Sequence, residues 1–337
     1  MKVTVLAGGV GGARFLKGLR HHLRQAMPDG AGGTTAKITA VVNTGDDMWL
    51  TGLRVCPDLD SVMYALAGVN DESRGWGRSG ETERVSAELT AYGVGWPWFT
   101  LGDLDIGTHI TRSHLLRTGL ALSHVTRQLA SRWDIGIELL PMSDEEVETQ
   151  VVLDGPTADV PEVVHFEEWW VRYRAQRPAR EFIQAGLTEA APAPGVLTAI
   201  SAADVVVLAP SNPVVSVGTI MNVPGIREGI QTTPAPVVGI SPIISGAAVR
   251  GMAEACLAAV GVRTGADAVA LHYGARSEGG VLDAWLIDSA DARLSDPIAR
   301  AGVHPVVVPL WMNDVQTSAN LAAAVLDAAS TLSAAKS

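Results

Sequence analysis

The chain has 337 residues, 47% of them hydrophobic, and a formal net charge of −11, which excludes a disordered chain and favours one large domain with a smaller insertion. The negative charge argues against binding to nucleic acid or to an anionic membrane, and no apolar run reaches the roughly 18 residues of a membrane helix. Because Cys56 and Cys256 are the only cysteines and no export signal precedes the first strand, we expect a cytoplasmic protein without disulfides.

Strand-like and helical patterns alternate over the first 140 residues. Apolar runs predict strands at 3–6, 38–42 and 98–101, and helical periodicity predicts helices at 14–25, 61–67, 82–91 and 120–132. After residue 190 the same alternation predicts strands at 205–209, 237–240 and 306–309 and helices at 247–260 and 314–332. Such alternation favours an α/β fold with a mainly parallel sheet and helices on both faces.

Between these two stretches the pattern changes. Residues 149–153 and 163–173 are rich in strand-forming side chains, and residues 154–161, which contain Asp, Gly and Pro, suit a turn between them. We therefore expect residues 1–140 and 191–332 to form the core domain and residues 141–190 to form an inserted β-rich cap.

A glycine-rich loop follows the first strand at residues 7–14 (AGGVGGAR). In a strand-to-helix turn of this kind, backbone N–H groups can close on phosphate oxygens at the helix N-terminus. The loop matches neither a dinucleotide fingerprint, because Arg14 stands at the third glycine position, nor a Walker loop. It is either a turn for close packing or a cradle for a nucleotide diphosphate. Four glycines favour the cradle: Gly8, Gly9, Gly11 and Gly12.

Four carboxylates follow the second strand in two pairs. Asp46 and Asp47 lie where that strand ends, and Asp58 and Asp60 precede the helix predicted at 61–67. Carboxylates gathered in this way can hold the Mg²⁺ that accompanies a diphosphate. Asp60 has an alternative interpretation as the N-cap of that helix.

Two further loops carry polar groups. Residues 102–112 contain Thr108, His109 and Arg112, which suit a phosphate or an acidic substrate, although His109 can equally pack within the fold. The side chains of Ser211 and Asn212 are suited to hydrogen-bond the base or ribose of a nucleotide; alternatively, they only stabilise the conformation of their loop. Among the tryptophans, we expect one or more of Trp49, Trp76, Trp96 and Trp98 to stack on a flat heterocycle, and Trp169 and Trp170 to anchor the cap.

Six short motifs occur in a fixed order along the chain. They are residues 8–12 (GGVGG), 43–47 (NTGDD), 57–60 (PDLD), 101–105 (LGDLD), 210–213 (PSNP) and 241–244 (SPII). In this order they resemble the 2-phospho-L-lactate transferase (CofD/FbiA) family of coenzyme F-420 biosynthesis, over about residues 2–315. The match also includes residues 75–77 (GWG) and 165–170 (HFEEWW), and the segments 75–77 and 166–173 favour the FbiA-type branch, which is associated with phosphoenolpyruvate.

The resemblance implies a Rossmann-like three-layer sandwich, a Mg²⁺ cofactor and a homodimer. It also implies transfer of a phosphoenolpyruvyl or 2-phospho-L-lactyl group from a guanosine diphosphate donor to the hydroxyl of the deazaflavin Fo, with release of GMP. On this basis Asp46 and Asp60 are the expected catalytic residues, and Asp46, Asp47, Asp58 and Asp60 the expected metal ligands. Substrate contacts are expected from Gly8, Gly9, Gly11, Gly12, Arg14, Thr44, Thr108, His109, Arg112, Ser211 and Asn212.

Two positions depart from the family pattern. Many members carry a basic residue, implicated in Fo binding, where this chain has Leu104, and some carry Lys where it has Ala247. Arg112 is a candidate to supply the basic group for Fo binding that Leu104 lacks. The alternative class is a nucleotide-sugar-binding regulator of the YvcK type, but residues 48–52 (MWLTG) lack the Gly-Gly-Ser-Ser-Gly stretch typical of those proteins. The third possible class, a nicotinamide oxidoreductase, is disfavoured because Arg14 stands at the third glycine position of the dinucleotide fingerprint.

Overall fold

The computed structural model describes residues 1–157, 160–249 and 251–336. Its strands are β1 (Lys2–Ala7), β2 (Lys37–Val42), β3 (Met48–Leu50), β4 (Leu53–Val55), β5 (Glu138–Pro141), β6 (Glu148–Thr157), β7 (Val160–His165), β8 (Ala179–Ala185), β9 (Val205–Leu208), β10 (Val237–Ile240), β11 (Ile243–Ile244), β12 (Ala247–Ala248), β13 (Ala284–Ile287) and β14 (His304–Val307). Its α-helices are α1 (Val10–Ala26), α2 (Pro57–Ala67), α3 (Arg84–Ala91), α4 (Asp103–Arg117), α5 (Leu122–Ala130), α6 (Val196–Ser201), α7 (Val217–Asn222), α8 (Ile226–Thr232), α9 (Ala253–Ala259), α10 (Ala266–Tyr273), α11 (Ser295–Arg300) and α12 (Val315–Lys336).

Seven of the strands form one parallel sheet in the order β14-β13-β10-β9-β1-β2-β5. Val3 of β1 pairs with Ile38 of β2 on one side and with Val205 of β9 on the other. The strand order therefore reverses between β1 and β9, and ligands of open α/β sheets bind in the crevice beyond such a switch point. The loops that follow β1 and β9 meet there.

Helices cover both faces of this sheet, which confirms the predicted three-layer α/β sandwich. One face packs against α1, α2 and α12 through side chains such as Phe15 and Val325, and the other packs against α7 and α8 through Ile220 and Ile226. The strands are buried on both faces, so they are continuous apolar runs rather than alternating ones.

Three sequence-based predictions of local structure are wrong. Residues 98–101 form no strand; they lead directly into α4, so the polar stretch at 102–105 opens a helix. α2 begins at Pro57 after Cys56 as its N-cap, so Asp60 is not the N-cap. The helix predicted at 247–260 begins only at Ala253, because β11 and β12 form a hairpin before it; residue 250 lies outside the described ranges.

A separate antiparallel sheet has the strand order β7-β6-β8. The strand-rich run predicted at 163–173 ends at His165 and continues as a π-helical turn at Glu168–Arg172. The turn predicted at 154–161 includes residues 158 and 159, which lie outside the described residues. Among the described helices, none combines the length and hydropathy that a membrane-spanning segment requires.

Candidate functional site

A cavity of about 740 Å³ opens at the switch point between β1 and β9. Its floor is formed by the loop after β1, the loop after β2 and the first turn of α2, and the loop after β9 closes one side. Residues 166–171 of the antiparallel unit and the aromatic loops at 74–77 and 98–101 form the remaining walls. Pockets of this size take ligands as large as nucleotides or flavin-like heterocycles.

The glycine loop opens α1 towards this cavity. Gly9 is the N-cap of α1, no side chain caps its free N–H groups, and the first turn carries no acidic residue. A side chain at Gly9 would lie 2.5 Å from Asp58 Oδ1, and one at Gly11 would collide with the Pro210 carbonyl oxygen. Glycine is needed because the neighbouring loops approach so closely. The arrangement leaves the first turn of α1 without an N-cap side chain, while the Asp58 carboxylate accepts the Gly9 N–H beside it.

Asn43 holds two of the carboxylates together. Its amide nitrogen donates to Asp46 Oδ2 at 3.2 Å and to Asp58 Oδ2 at 2.9 Å, while its amide oxygen accepts the Gly45 N–H at 2.9 Å. Asp46 Oδ1 is buried and has no hydrogen-bond partner among the described residues. Asn43 belongs to the 43–47 motif but was not predicted as a site residue; its place at the end of β2 was the available signal.

Glu167, from the antiparallel unit, joins the same cavity wall. Burial, with Asp58 and Asp47 adding to it, raises the pKa of Glu167 to about 8. Burial also raises the pKa of Asp58 to about 6, against the hydrogen bond from Asn43. The pKa of Asp46 lies well above its ordinary value because of burial first, and then because of Asp58 and Glu167. Three carboxylates thus share one region, and no cation of the described chain is a main contributor to their pKa shifts.

The residues present fit a hard divalent cation. Mg²⁺ prefers carboxylate oxygens, and a bound cation would favour the ionised carboxylates against the burial, and for Asp46 and Glu167 also the neighbouring carboxylates, that raise these pKa values. The free Oδ1 of Asp46 is a ligand position that the chain itself leaves unused. Asp46 and Asp58 are the candidate ligands, and Glu167 lines the same cavity; the acidic and histidine side chains of the described residues whose ligand atoms lie within 4.8 Å of one another are instead Asp60, Asp105 and His109. Sequence reasoning missed Glu167 because it lies more than a hundred residues from the aspartates.

Asp60 has a different environment. Both of its carboxylate oxygens accept hydrogen bonds from the Arg112 guanidinium, one of them at 3.0 Å, and His109 Nδ1 lies 3.6 Å away. His109 Nε2 in turn lies 3.4 Å from Asp105 Oδ1, which accepts the Tyr64 hydroxyl at 2.7 Å. Asp60 still reaches the cavity wall, but its charge is already neutralised by Arg112.

Asp47 is also separated from the other aspartates by its partner. It is buried with Oδ2 at 3.9 Å from the Arg54 guanidinium, and it does not line the cavity. Burial raises the pKa of Asp47 to about 7, with Arg54 opposing the shift. The four aspartates predicted as metal ligands therefore split into a cavity pair, Asp46 and Asp58, and two that face arginines, Asp47 and Asp60.

The predicted site residues divide into those that line the cavity and those that do not. Those that line it are Gly9, Gly11, Arg14, Asp46, Asp58, Asp60, His109, Ser211 and Asn212. Those that do not line it are Gly8, Gly12, Thr44, Asp47, Thr108 and Arg112. Arg112 does not fit the suggested replacement for a basic residue at Leu104, because its guanidinium is only 1% exposed and engages Asp60.

Ser211 and Asn212 shape the loop after β9. Ser211 Oγ accepts the Gly8 N–H at 3.0 Å, which ties this loop to the glycine loop. Asn212 Oδ1 accepts the N–H groups of Val214 and Val215 at 2.9 and 3.2 Å. Both residues border the cavity, and the Asn212 side chain is already used to hold the turn.

Aromatic side chains form the outer half of the cavity. Trp76, Trp98, Trp170 and Trp311 line it, and Trp98 stacks on Trp96 with ring centroids 4.6 Å apart. Trp76 and Trp311 are 42% and 49% exposed, and the Arg74 guanidinium lies 5.4 Å from the centre of the Trp76 ring. Trp169 and Trp170 both pack in the hydrophobic cluster of the antiparallel unit, as expected, and Trp170 also borders the cavity.

Comparisons with known proteins agree with these features. The family described as 2-phospho-L-lactate transferase CofD matches residues 3–325. A phosphoenolpyruvate transferase of Mycobacterium sp. (strain KMS) is 51% identical over 324 residues, covering 95% of this chain and 96% of that protein. One of Thermobifida fusca (strain YX) is 52% identical over 329 residues, covering 98% of each chain.

A crystal structure of a Bacillus halodurans protein, a member of the upf0052 family, superposes with a TM-score of 0.58 over 96% of this chain and 98% of that one. At 18% identity this likeness supports the fold alone. The family match and the two transferases extend over nearly the whole chain. This chain therefore belongs to the 2-phospho-L-lactate transferase CofD family, the transferases of coenzyme F-420 biosynthesis.

Proposed function

We propose that this protein transfers a phosphoenolpyruvyl group, or a 2-phospho-L-lactyl group, from a guanosine diphosphate donor to the terminal hydroxyl of Fo. The hydroxyl oxygen forms a bond to the outer phosphorus, the bond from that phosphorus to the GMP oxygen breaks, and the hydroxyl proton passes to a carboxylate. The observation that carries the proposal is one cavity in which the Asp46 and Asp58 carboxylates lie beside the open N-terminus of α1 and below a ring of tryptophans. The names of the similar transferases favour the phosphoenolpyruvyl donor.

The donor's diphosphate fits the floor of the cavity. The free N–H groups at the start of α1 supply partial positive charge, and Arg14 adds a guanidinium whose only contact among the described residues is the Met312 carbonyl oxygen at 3.4 Å. Asp46 and Asp58, with Glu167 from the antiparallel unit, would hold Mg²⁺. Bound there, Mg²⁺ would neutralise charge on the diphosphate and on the leaving GMP.

The acceptor fits the aromatic half of the cavity. A deazaflavin is a flat, electron-poor heterocycle, and Trp76, Trp98 and Trp311 offer indole faces for stacking. Its ribityl chain would then reach down towards the carboxylates. Of the two predicted catalytic residues, Asp46 is better placed to meet the acceptor hydroxyl or its metal, because its Oδ1 has no partner among the described residues, whereas both oxygens of Asp60 are held by Arg112. The homodimer and the cytoplasmic location stay predictions.

A turnover assay tests the proposal. The purified chain is incubated with Fo, Mg²⁺ and guanosine diphosphate linked to enolpyruvate or to lactate, and the products are separated and weighed by mass spectrometry. The proposal expects one equivalent of GMP for each phosphodiester of Fo, with the better donor identified by kcat/KM. No Fo product with either donor, together with tight binding of a nucleotide sugar, would favour the alternative of a non-enzymatic regulator of the YvcK type.

We predict that Gly11→Ala raises the KM for the guanosine donor by roughly tenfold or more and changes the KM for Fo little. The added methyl group collides with the Pro210 carbonyl, so the two loops that hold the donor must separate. Steady-state kinetics with each substrate varied in turn measures both constants. Gly107→Ala is the matched control, because a methyl group there meets nothing within 4 Å. Equal losses for donor and Fo would indicate a packing role instead.

We predict that Trp98→Ala raises the KM for Fo by about tenfold, since one stacked aromatic contact is worth roughly 1–3 kcal/mol. The donor KM should stay unchanged, because the tryptophan lies on the aromatic half of the cavity. Trp49→Ala is the control: Trp49 is also half-exposed, but its indole N–H binds Glu146 outside the cavity. An unchanged KM for Fo in Trp98→Ala would remove this residue from the acceptor site.

A further inference from the structure

A second cleft of about 380 Å³ lies between α4 and α5, on a different face of α4 from the main cavity. Thr108 and Thr111 of α4 border this cleft, whereas Asp105 and His109 of the same helix border the main cavity. The cleft therefore has its own side chains and is separate from the site of group transfer. It also explains where Thr108, predicted as a substrate contact, actually lies.

Arg78 is an unusual residue in this cleft. Three arginines are buried among the described residues, and the other two face carboxylates: Arg54 faces Asp47, and Arg112 faces Asp60. Arg78 is only 8% exposed and forms no ion pair in the described part of the chain. Its Nε has no hydrogen-bond partner there, and its guanidinium reaches only the Leu104 carbonyl oxygen, at 3.5 Å. A buried guanidinium without an anion is expensive unless something else supplies the charge.

A second cation faces the same cleft. The Arg78 guanidinium lies 5.5 Å from the centre of the Trp133 ring, and the Arg132 guanidinium lies 4.8 Å from it. Arg132 is exposed and forms no ion pair with the described residues. Both arginines line the cleft, so two unpaired guanidinium groups flank one indole. Forked guanidinium donors of this kind match the oxygens of carboxylates and phosphates.

The acidic residue in the cleft does not neutralise these cations. Asp103 accepts hydrogen bonds from the Thr82 hydroxyl and, at 3.1 Å, from the Val85 N–H. The Thr82 hydrogen bond contributes most to holding the pKa of Asp103 below its ordinary value. The Asp103 carboxylate is thus already hydrogen-bonded to residues at the start of α3. The Gln128 side chain, which also lines the cleft, remains available as an amide donor.

We propose that the cleft between α4 and α5 is a second binding site for a small oxyanion, a phosphate or a carboxylate, held by Arg78 and Arg132 with Trp133 between them. The site does not depend on which donor or acceptor the main cavity takes. A ligand there supplies the negative charge that the described residues do not bring to the buried Arg78 guanidinium in an ion pair.

Isothermal titration of the full chain with inorganic phosphate and, separately, with malonate tests this site. Arg132→Ala should weaken binding by roughly tenfold or more, because it removes one charge-assisted contact. Arg127→Ala is the matched control: it removes an exposed arginine of α5, five residues before Arg132 and outside the cleft, and should leave the affinity within about twofold. Arg78→Lys, which keeps the buried charge but loses the fork, should also weaken binding.

The two probes distinguish the sources of the anion. Tighter binding of phosphate would indicate a phosphate monoester, and tighter binding of malonate a dicarboxylate. Arg14→Ala controls for phosphate at the N-terminus of α1 and should leave cleft binding intact. Equal affinities in Arg132→Ala and Arg127→Ala, loss of all binding in Arg14→Ala, or no saturable binding of either probe would overturn the proposal.

Discussion

Asp46→Asn should lower kcat by about 10²–10³-fold while leaving the metal-free protein at least as stable as the wild type. The loss of turnover is expected because Asp46 offers the one carboxylate oxygen in the cavity floor that is buried and without a partner among the described residues. Asparagine keeps the shape and the contact with Asn43 but can neither accept the proton nor bind Mg²⁺ as a carboxylate does.

Asp46→Asn lowers turnover, but we expect it to maintain or increase the stability of the metal-free protein. The pKa of Asp46 is raised by burial and then by Asp58 and Glu167, so the folded chain binds this proton more tightly than the unfolded chain does. Ionised Asp46 therefore destabilises the fold as the pH rises above its ordinary pKa, and asparagine removes that cost. Melting temperatures measured in EDTA at pH 6 and at pH 8 test this. The decrease in melting temperature from pH 6 to pH 8 should be smaller for Asp46→Asn than for the wild type.

Asp327→Asn serves as the control for both measurements, since Asp327 lies exposed on α12, away from the cavity. Its turnover and melting temperature should match those of the wild type. Full turnover in Asp46→Asn would remove Asp46 from the catalytic centre. A large drop in melting temperature without metal would show that its carboxylate is structural.

Arg112→Met should destabilise the protein by about 3–5 kcal/mol, the largest effect on stability that we expect. Arg112 donates to both oxygens of Asp60 and to the Arg54 carbonyl oxygen at 3.2 Å, and its side chain is almost fully buried. Removing it leaves Asp60 buried without its guanidinium partner, with His109 Nδ1 at 3.6 Å as the neighbour that remains. Urea denaturation measures the free energy of unfolding.

A double variant shows whether the lost pairing is the cause. Arg112→Met combined with Asp60→Asn removes both charges and should recover a large part of the lost stability. Arg117→Met, an exposed arginine on the same helix, should cost no more than about 0.5 kcal/mol. If the double variant is less stable than Arg112→Met, the packing of the arginine side chain, and not its charge, supports this region.

The centre of the parallel sheet could be predicted because its strands are mainly apolar runs that end in glycine or proline loops, whereas β5 and β13 were not predicted. β1, β2, β9 and β10 were all identified within a residue or two, and with them the loops that meet at the switch point. Residues 98–101 are also a mainly apolar run, but they form no strand. Its aromatic rings face the cavity instead of a sheet, which local composition cannot distinguish.

The site could be predicted only in part, because several of its contacts join distant parts of the chain. The glycine loop and the aspartates at 46 and 58 follow from their position after β1 and β2. The pairing of Asp60 with Arg112 spans 52 residues and depends on how α4 packs against α2. Glu167 reaches the cavity only through the placement of the antiparallel unit, so no local pattern marked it.

The central claim is that this cavity binds a deazaflavin beside a guanosine diphosphate. A titration that follows the fluorescence of Fo itself, with Mg²⁺ and GDP present or absent, tests it most directly. We expect a saturable change in fluorescence that is weakened in Trp98→Ala and retained in Trp49→Ala. No response of Fo under any of these conditions, with tight binding of a uridine nucleotide sugar, would contradict the account and place the protein among the nucleotide-sugar-binding regulators.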